Sequence, residues 1–133
     1  MAVLDVAEVD VVAEKERMVR VLNYRRSDEG HTLYLIQVQL GEECSWTVEK
    51  RYRQFAEFDK KRFQEKMGKK ASFLPPKRLV GNYEEEFLLE RKRELEKYLR
   101  TTLELELWLA QKHRYTAIGV ELARFLNFHI YVT

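Results

Sequence analysis

The sequence predicts an α+β fold, a three-stranded antiparallel sheet followed by a helical subdomain with a proline-rich crossover. Three observations predict it. Hydrophobic residues alternate with period two in Thr32–Leu40 and Ser45–Arg51, they recur at helical spacing from residue 54 onward, and Pro75-Pro76 interrupt the helical half. Strands first and helices after is the order of a small sheet covered on one face by helices. At 133 residues, 45% hydrophobic and 35% charged, the chain suits one globular domain with a heavily charged surface. Residues 17–133 are assigned to that domain, and residues 1–16 to an N-terminal arm or extra strand.

Each element has its own signal. Arg17–Arg26 contains the β-rich run Met18 to Tyr24, and Ser27-Asp28-Glu29-Gly30 is turn chemistry. In Thr32–Leu40, Tyr34, Ile36, Val38 and Leu40 share one face, opposite Gln37 and Gln39. Gly41-Glu42-Glu43 turns the chain into Ser45–Arg51, where Trp46 and Val48 face inward. Gln54–Met67 is expected as a helix carrying Phe55, Phe58, Phe63 and Met67, stopped by Gly68. Phe73 to Lys77 is extended, because each proline forces its predecessor out of the helical region. Asn82 with Glu85 forms a capping pair for a long helix running to about Thr102, with Leu88, Leu95, Leu99, Leu103 and Tyr98 buried. Leu105–Gln111 and Thr116–Phe128 are expected as two shorter helices.

Charge is distributed unevenly. Residues 50–78 carry 11 Lys/Arg against 3 Asp/Glu, whereas residues 1–49 carry 5 against 10. A basic block in an otherwise acidic chain points to a local anionic partner or, alone, to a solvated helix face. Aromatics do not interleave with its cations as base stacking requires, so nucleic acid is not an expected partner. No uncharged apolar stretch approaches the ~18 residues of a membrane span, and the acids at Asp5, Glu8 and Asp10 do not suit a signal peptide. Cys44 is the only cysteine, which excludes an internal disulfide and a cysteine-based zinc site and fits a reducing cytoplasm. There is no glycine-rich phosphate loop, nucleophile elbow or His-Glu-x-x-His. His31, His113 and His129 are isolated in sequence and read as turn, surface or packing residues. The expectation is therefore a monomeric, non-enzymatic domain with no metal and no cofactor.

The informative residues are Lys50-Arg51-Tyr52-Arg53-Gln54-Phe55 where the third strand meets the first helix, then Leu74-Pro75-Pro76-Lys77, then Glu90 to Leu99 early in the long helix. Read alone, Tyr52 and Phe55 are core aromatics and Arg51 a surface arginine. In this order and spacing the three elements resemble the PX domain, the phosphoinositide-binding module of sorting nexins and oxidase subunits. The resemblance covers about residue 17 to residue 128 and implies a lipid-binding site. Arg51 would grip the 3-phosphate of phosphatidylinositol 3-phosphate, and Tyr52 would floor the inositol ring. Lys77 would contact the 1-phosphate, and Arg91 would hydrogen-bond the ring hydroxyls at positions 4 and 5. It also implies a membrane-inserting loop after the prolines, here with Leu79 and Val80 as inserters. Lys69, Lys70 and Arg78 would assist it, and Glu84-Glu85-Glu86 would oppose it on an anionic surface.

The implied function is recognition of phosphatidylinositol 3-phosphate by a cytoplasmic module of a larger scaffold or trafficking protein, peripheral on early endosomes. The alternative is a protein-interaction domain whose lipid pocket is weak or unused. Within the family, Pro75 to Gly81 and the ending Arg124 to Tyr131 resemble nischarin-like members. That narrower resemblance implies partners in integrin or small-GTPase signalling. One geometric demand follows from strand alternation. Arg51 and Tyr52 would face opposite sides of a continuing strand, so the strand must end or twist at Arg51 for both to line one pocket.

Overall fold

The computed structural model describes residues 18–64, 72–78, 84–112 and 119–131. The proposed arm at 1–16, Gly68, Lys69, Lys70, Leu79, Val80 and Asn82 lie outside them. Three strands, β1 (Val19–Arg26), β2 (Thr32–Leu40) and β3 (Cys44–Arg51), pair antiparallel in the order β1-β2-β3. Both connections are tight turns that rely on positive φ at glycine, +85° at Gly30 and +68° at Gly41. The predicted alternation is realised: Tyr34, Ile36 and Val38 of β2 and Trp46 and Val48 of β3 are buried. Leu40, on the same face, is partly buried against that core. In β1 the register shifts between Val21 and Asn23, so Leu22 bulges outward and Tyr24 falls opposite Tyr34. A carboxylate from the helical half, Glu96 Oε1, accepts the Val21 N–H at the bulge at 2.9 Å.

Helix α1 (Tyr52–Asp59) starts two residues earlier than the pattern predicts and widens into a π-helical turn over Lys60–Gln64. The early start has a local cause. Gln54 Oε1 accepts the Arg51 N–H at 3.0 Å, closing the first turn from its third position. Phe55 and Phe58 insert against Tyr98 and Phe125, with ring centroids 4.8–6.4 Å apart.

The long helix α2 runs without a break over Glu85–Lys112, 28 residues and about 42 Å. It corrects the expectation of a stop near Thr102 and a separate helix at Leu105–Gln111. Leu103, Glu106, Leu107 and Ala110 continue the buried stripe begun by Leu88, Leu95 and Leu99. With no Gly or Pro in the stretch, the core contact carries the helix through Thr101-Thr102. Of the C-terminal helix predicted at 116–128, the described part from residue 119 forms two short pieces, α3 (Val120–Phe125) and α4 (Phe128–Tyr131). They are separated at Asn127, whose φ of +60° no continuing helix allows. This end packs on Trp46, whose indole N–H donates to the Leu126 carbonyl at 2.7 Å. Phe128 meets the indole edge-on and Tyr131 stacks on it.

Two polar networks tie the helices together. The Asp59 carboxylate, fully buried, accepts from the hydroxyls of Tyr98 and Ser72. Arg62, on the π turn, pairs with Glu106 of α2, and the second Glu106 oxygen accepts the Gly119 N–H at 2.9 Å. Removing one partner of a buried ion pair leaves a desolvated charge, which costs about 3–5 kcal/mol. Glu106→Ala is therefore expected to lower unfolding free energy by about that amount in urea titrations. Trp108→Ala, two residues on at a residue 53% exposed, should change it by less than about 0.5 kcal/mol.

Candidate functional site

The strand-to-helix junction satisfies the geometric demand made by the sequence. β3 ends at Arg51, whose backbone is extended (φ −93°, ψ 162°), and Tyr52 is the first helical residue. The change of backbone conformation turns Tyr52 to the same side as Arg51. The next residues divide the work: Arg53 is exposed and pairs with Glu57 at 3.4 Å, Gln54 caps, and Phe55 anchors the helix in the core.

Arg51 and Tyr52 border a cavity of about 400 Å³ that lies between the β1–β2 turn, the start of α1, the proline segment and the first turns of α2. Lys77 and Arg91 line it too, so all four residues assigned to headgroup contact meet in one place. Of the described lining residues, five are Arg or Lys (Arg51, Arg53, Lys77, Arg78, Arg91) and none is Asp or Glu. Arg53 and Arg78 thus reach the cavity as well, whereas Arg93 is turned outward onto Glu90. A second hollow of similar size beside Lys50 and Phe58 mixes Lys61 and Arg124 with Glu57 and Glu121. Only the first has the single sign of charge that concentrates an anion.

Arg91 is the least ordinary residue of the site. Its side chain is 4% exposed, far below what a charged residue without a full set of partners tolerates. Nη2 donates to the Pro76 carbonyl at 2.7 Å. The guanidinium lies 4.5 Å over the Tyr52 ring and 4.8 Å from that of Phe87, one helical turn earlier. Nε and Nη1 are shut away from solvent with no hydrogen-bond partner among the described residues. The Tyr52 hydroxyl donates to the carbonyl of Pro75, so Tyr52 and Arg91 together fasten the proline segment that ends in Lys77. Burial pushes the Tyr52 phenol up, against the pull of the adjacent Arg91 charge. The Tyr34 phenol, deeper, is pushed up to about 12 by the same cause. Both rings therefore stay neutral at physiological pH.

Sequence reasoning missed two residues of the cavity. His31 follows the β1–β2 turn, and Arg51 Nη1 lies 2.8 Å from its Nε2. The signal was in the hairpin register: with Leu40 opposite Cys44, Leu33 falls opposite Arg51, and His31 lies two residues further on the same side. Phe87 was hidden among the acids at the start of α2, although its spacing of four from Arg91 places both on one helix face. Leu79 and Val80, assigned to membrane insertion, lie outside the described residues. Glu84, Glu85 and Glu86 are exposed at the start of α2. Among the described residues there is no cluster able to hold a metal and no helix long and apolar enough to cross a membrane.

Comparison with known proteins agrees with this architecture. The chain is 38% identical over 80 residues to the mouse PX domain-containing protein kinase-like protein, covering 59% of this chain and 13% of that protein. It is 36% identical over 72 residues to the human kinesin-like protein KIF16B, covering 54% of this chain and 5% of that one. The chain thus matches a small fraction of the length of these relatives. Among solved structures, a designed CISK-PX domain superposes with a TM-score of 0.64 at 28% identity, over 81% of this chain and 96% of that one. The mouse SNX19 PX domain shares the fold at a TM-score of 0.51 and 21% identity, over 82% of this chain and 93% of that one. A model of the PX domain family matches residues 39–129. With the sheet, the proline crossing and the cationic cavity in the family's order, the chain belongs to the PX domains, in general phosphoinositide-binding modules that target proteins to membranes.

Proposed function

We propose that the cavity binds the headgroup of phosphatidylinositol 3-phosphate and holds the domain peripherally on early endosomal membranes, as a binding module rather than an enzyme. The observation that supports this most is Arg91. Two buried guanidinium nitrogens without acceptors are costly, at about 1–3 kcal/mol for each unmet group, more where charge is involved. A polyhydroxylated ring seated against Tyr52, with the Phe87 ring displaced, supplies the acceptors. In this reading Arg51 takes the 3-phosphate through parallel N–H donors, Lys77 meets the 1-phosphate as a point charge, and Arg91 reads the ring hydroxyls.

Micromolar affinity corresponds to about −8 kcal/mol, which a few charge-assisted hydrogen bonds of about 1.5–3 kcal/mol and membrane attraction reach after ordering costs. Leu79 and Val80 are the proposed inserters, each buried CH₂ adding about 0.8 kcal/mol in the interface. The alternative, a protein-interaction domain with an unused pocket, gives no account of five cations and no acid among the described residues around one cavity. The nischarin-like resemblance is carried by Pro75–Gly81 and Arg124–Tyr131. In this reading, integrin- or small-GTPase-linked partners join the lipid. Part of the latter stretch has a second explanation in its packing on Trp46.

Vesicle co-sedimentation across the phosphoinositides tests the reading. Selective binding to phosphatidylinositol 3-phosphate is expected, weakened roughly ten- to a hundredfold by Arg51→Ala, and weakened also by Arg51→Lys because the second parallel donor is lost. Equal binding to all anionic lipids, insensitive to Arg51→Ala, would reduce the site to general electrostatics. Tyr52→Phe keeps the ring and should lose less affinity than Tyr52→Ala, measured by calorimetry with soluble inositol 1,3-bisphosphate. Leu79→Ala with Val80→Ala is expected to weaken vesicle binding and leave affinity for that soluble headgroup unchanged.

A further inference from the structure

We infer that His31 is a second ligand for the ring phosphate held by Arg51, and that the phosphate binds with uptake of one proton on its imidazole. The inference rests on the headgroup reading above and adds a residue and a pH dependence to it.

The contact with Arg51 fixes the starting roles. A guanidinium only donates, so across the 2.8 Å contact with Arg51 Nη1 the lone pair of His31 Nε2 is the acceptor. The backbone holds the ring at this station. The His31 N–H donates to Ser27 Oγ at 3.1 Å, and its carbonyl accepts the Ser27 N–H at 2.8 Å. The side chain is 43% exposed and borders the cavity, so a ligand at Arg51 meets it.

A phosphate changes the roles. Its oxygens are acceptors, and an imidazole lone pair facing them is repelled. A phosphate taking Nη1 of Arg51 must therefore either push His31 aside or recruit it with a hydrogen on Nε2. The surroundings favour recruitment, and as an imidazolium rather than as the neutral tautomer with its hydrogen moved to Nε2. Arg51 of β3, Arg53 of α1, Lys77 and Arg78 of the proline segment and Arg91 of α2 border the cavity, and Glu29 on the turn lies 3.7 Å from Nε2. Without a ligand, five cations weigh against one more positive charge. A phosphate dianion reverses that balance, and Glu29, 3.7 Å from the same Nε2, adds a second negative charge beside an imidazolium. The phenols of Tyr34 and Tyr52, both pushed up by burial, do not titrate in this range. The proton comes from solvent, and no covalent bond changes. Histidine is the side chain suited to such a change between about pH 5 and 8.

Because the bound state holds the extra proton, affinity rises as pH falls, by no more than tenfold per pH unit for one proton. The lipid phosphomonoester, with a second pKa of about 6, opposes this, because acidification strips its charge. The two contributions thus have opposite signs and are separable.

The test is binding of the full chain and of His31→Gln to vesicles containing phosphatidylinositol 3-phosphate, and to soluble inositol 1,3-bisphosphate, from about pH 8 to about pH 6.5. The wild type is expected to bind about fivefold tighter at the acidic end with both ligands. His31→Gln should show a flat or falling profile while melting at the same temperature as wild type. Calorimetry in two buffers of different ionisation heat should show net proton uptake by the wild type alone. Parallel profiles for the two proteins would overturn the role of His31 and leave the headgroup reading standing. A slope seen with vesicles but not with the soluble headgroup would assign the effect to the membrane surface and overturn it likewise. Absence of binding by either protein at every pH would overturn both readings.

Discussion

A guanidinium taken out of water has to be met by acceptors and aromatic faces, and the placement of Arg91 organises this molecule around that requirement. Pro76 offers a carbonyl and Tyr52 and Phe87 offer ring faces, and each comes from a different part of the chain. The proline segment has few ways to be held. Prolines donate no backbone hydrogen bond, so Pro75 and Pro76 are fixed through their carbonyls, one by Tyr52 and one by Arg91. The same two side chains therefore build the cavity wall and secure the segment that presents Lys77.

This dual use explains why the strand-to-helix junction is so compact. Tyr52 reaches Pro75 only because β3 stops at Arg51 and the helix begins at once, and it begins at once because Gln54 caps it. Phe55, three residues on, pins that turn to Tyr98 and Phe125. Behind the site, the continuous α2 transmits rigidity. Its N-terminal turns carry Phe87 and Arg91, its middle bonds the β1 bulge through Glu96, and its far end holds the π turn through Glu106. Loosening either polar network should blur the cavity without touching a residue that lines it.

Much of this was legible because it is local. Period-two alternation in Thr32–Leu40 and the glycine turns dictate the hairpins, and the Leu88–Leu103 spacing dictates a buried helical stripe. The end of α2 was not legible, since Thr101-Thr102 are poor helix formers whose preference is overridden by the burial of Leu103, Leu107 and Ala110. The meeting of Arg51, Tyr52, Lys77 and Arg91 came from motif spacing, because no periodicity relates a strand end to a helix turn 40 residues away. His31 escaped because its contact depends on the register of a hairpin rather than on its neighbours in sequence. Phe87 escaped because one aromatic beside three acids reads as a helix terminus. Leu79 and Val80 rest on the motif alone.

The central claim is that the unmet nitrogens of Arg91 are there for a ring-bearing anion. Side-chain nitrogen NMR of the arginine Nε–H groups tests it most directly, with soluble inositol 1,3-bisphosphate titrated into the full chain. The account predicts that the Arg91 Nε–H signal moves and becomes protected from exchange in step with Arg51. Saturation of Arg51 with Arg91 unchanged would contradict it, and would make Arg91 a clamp on the proline segment and nothing more.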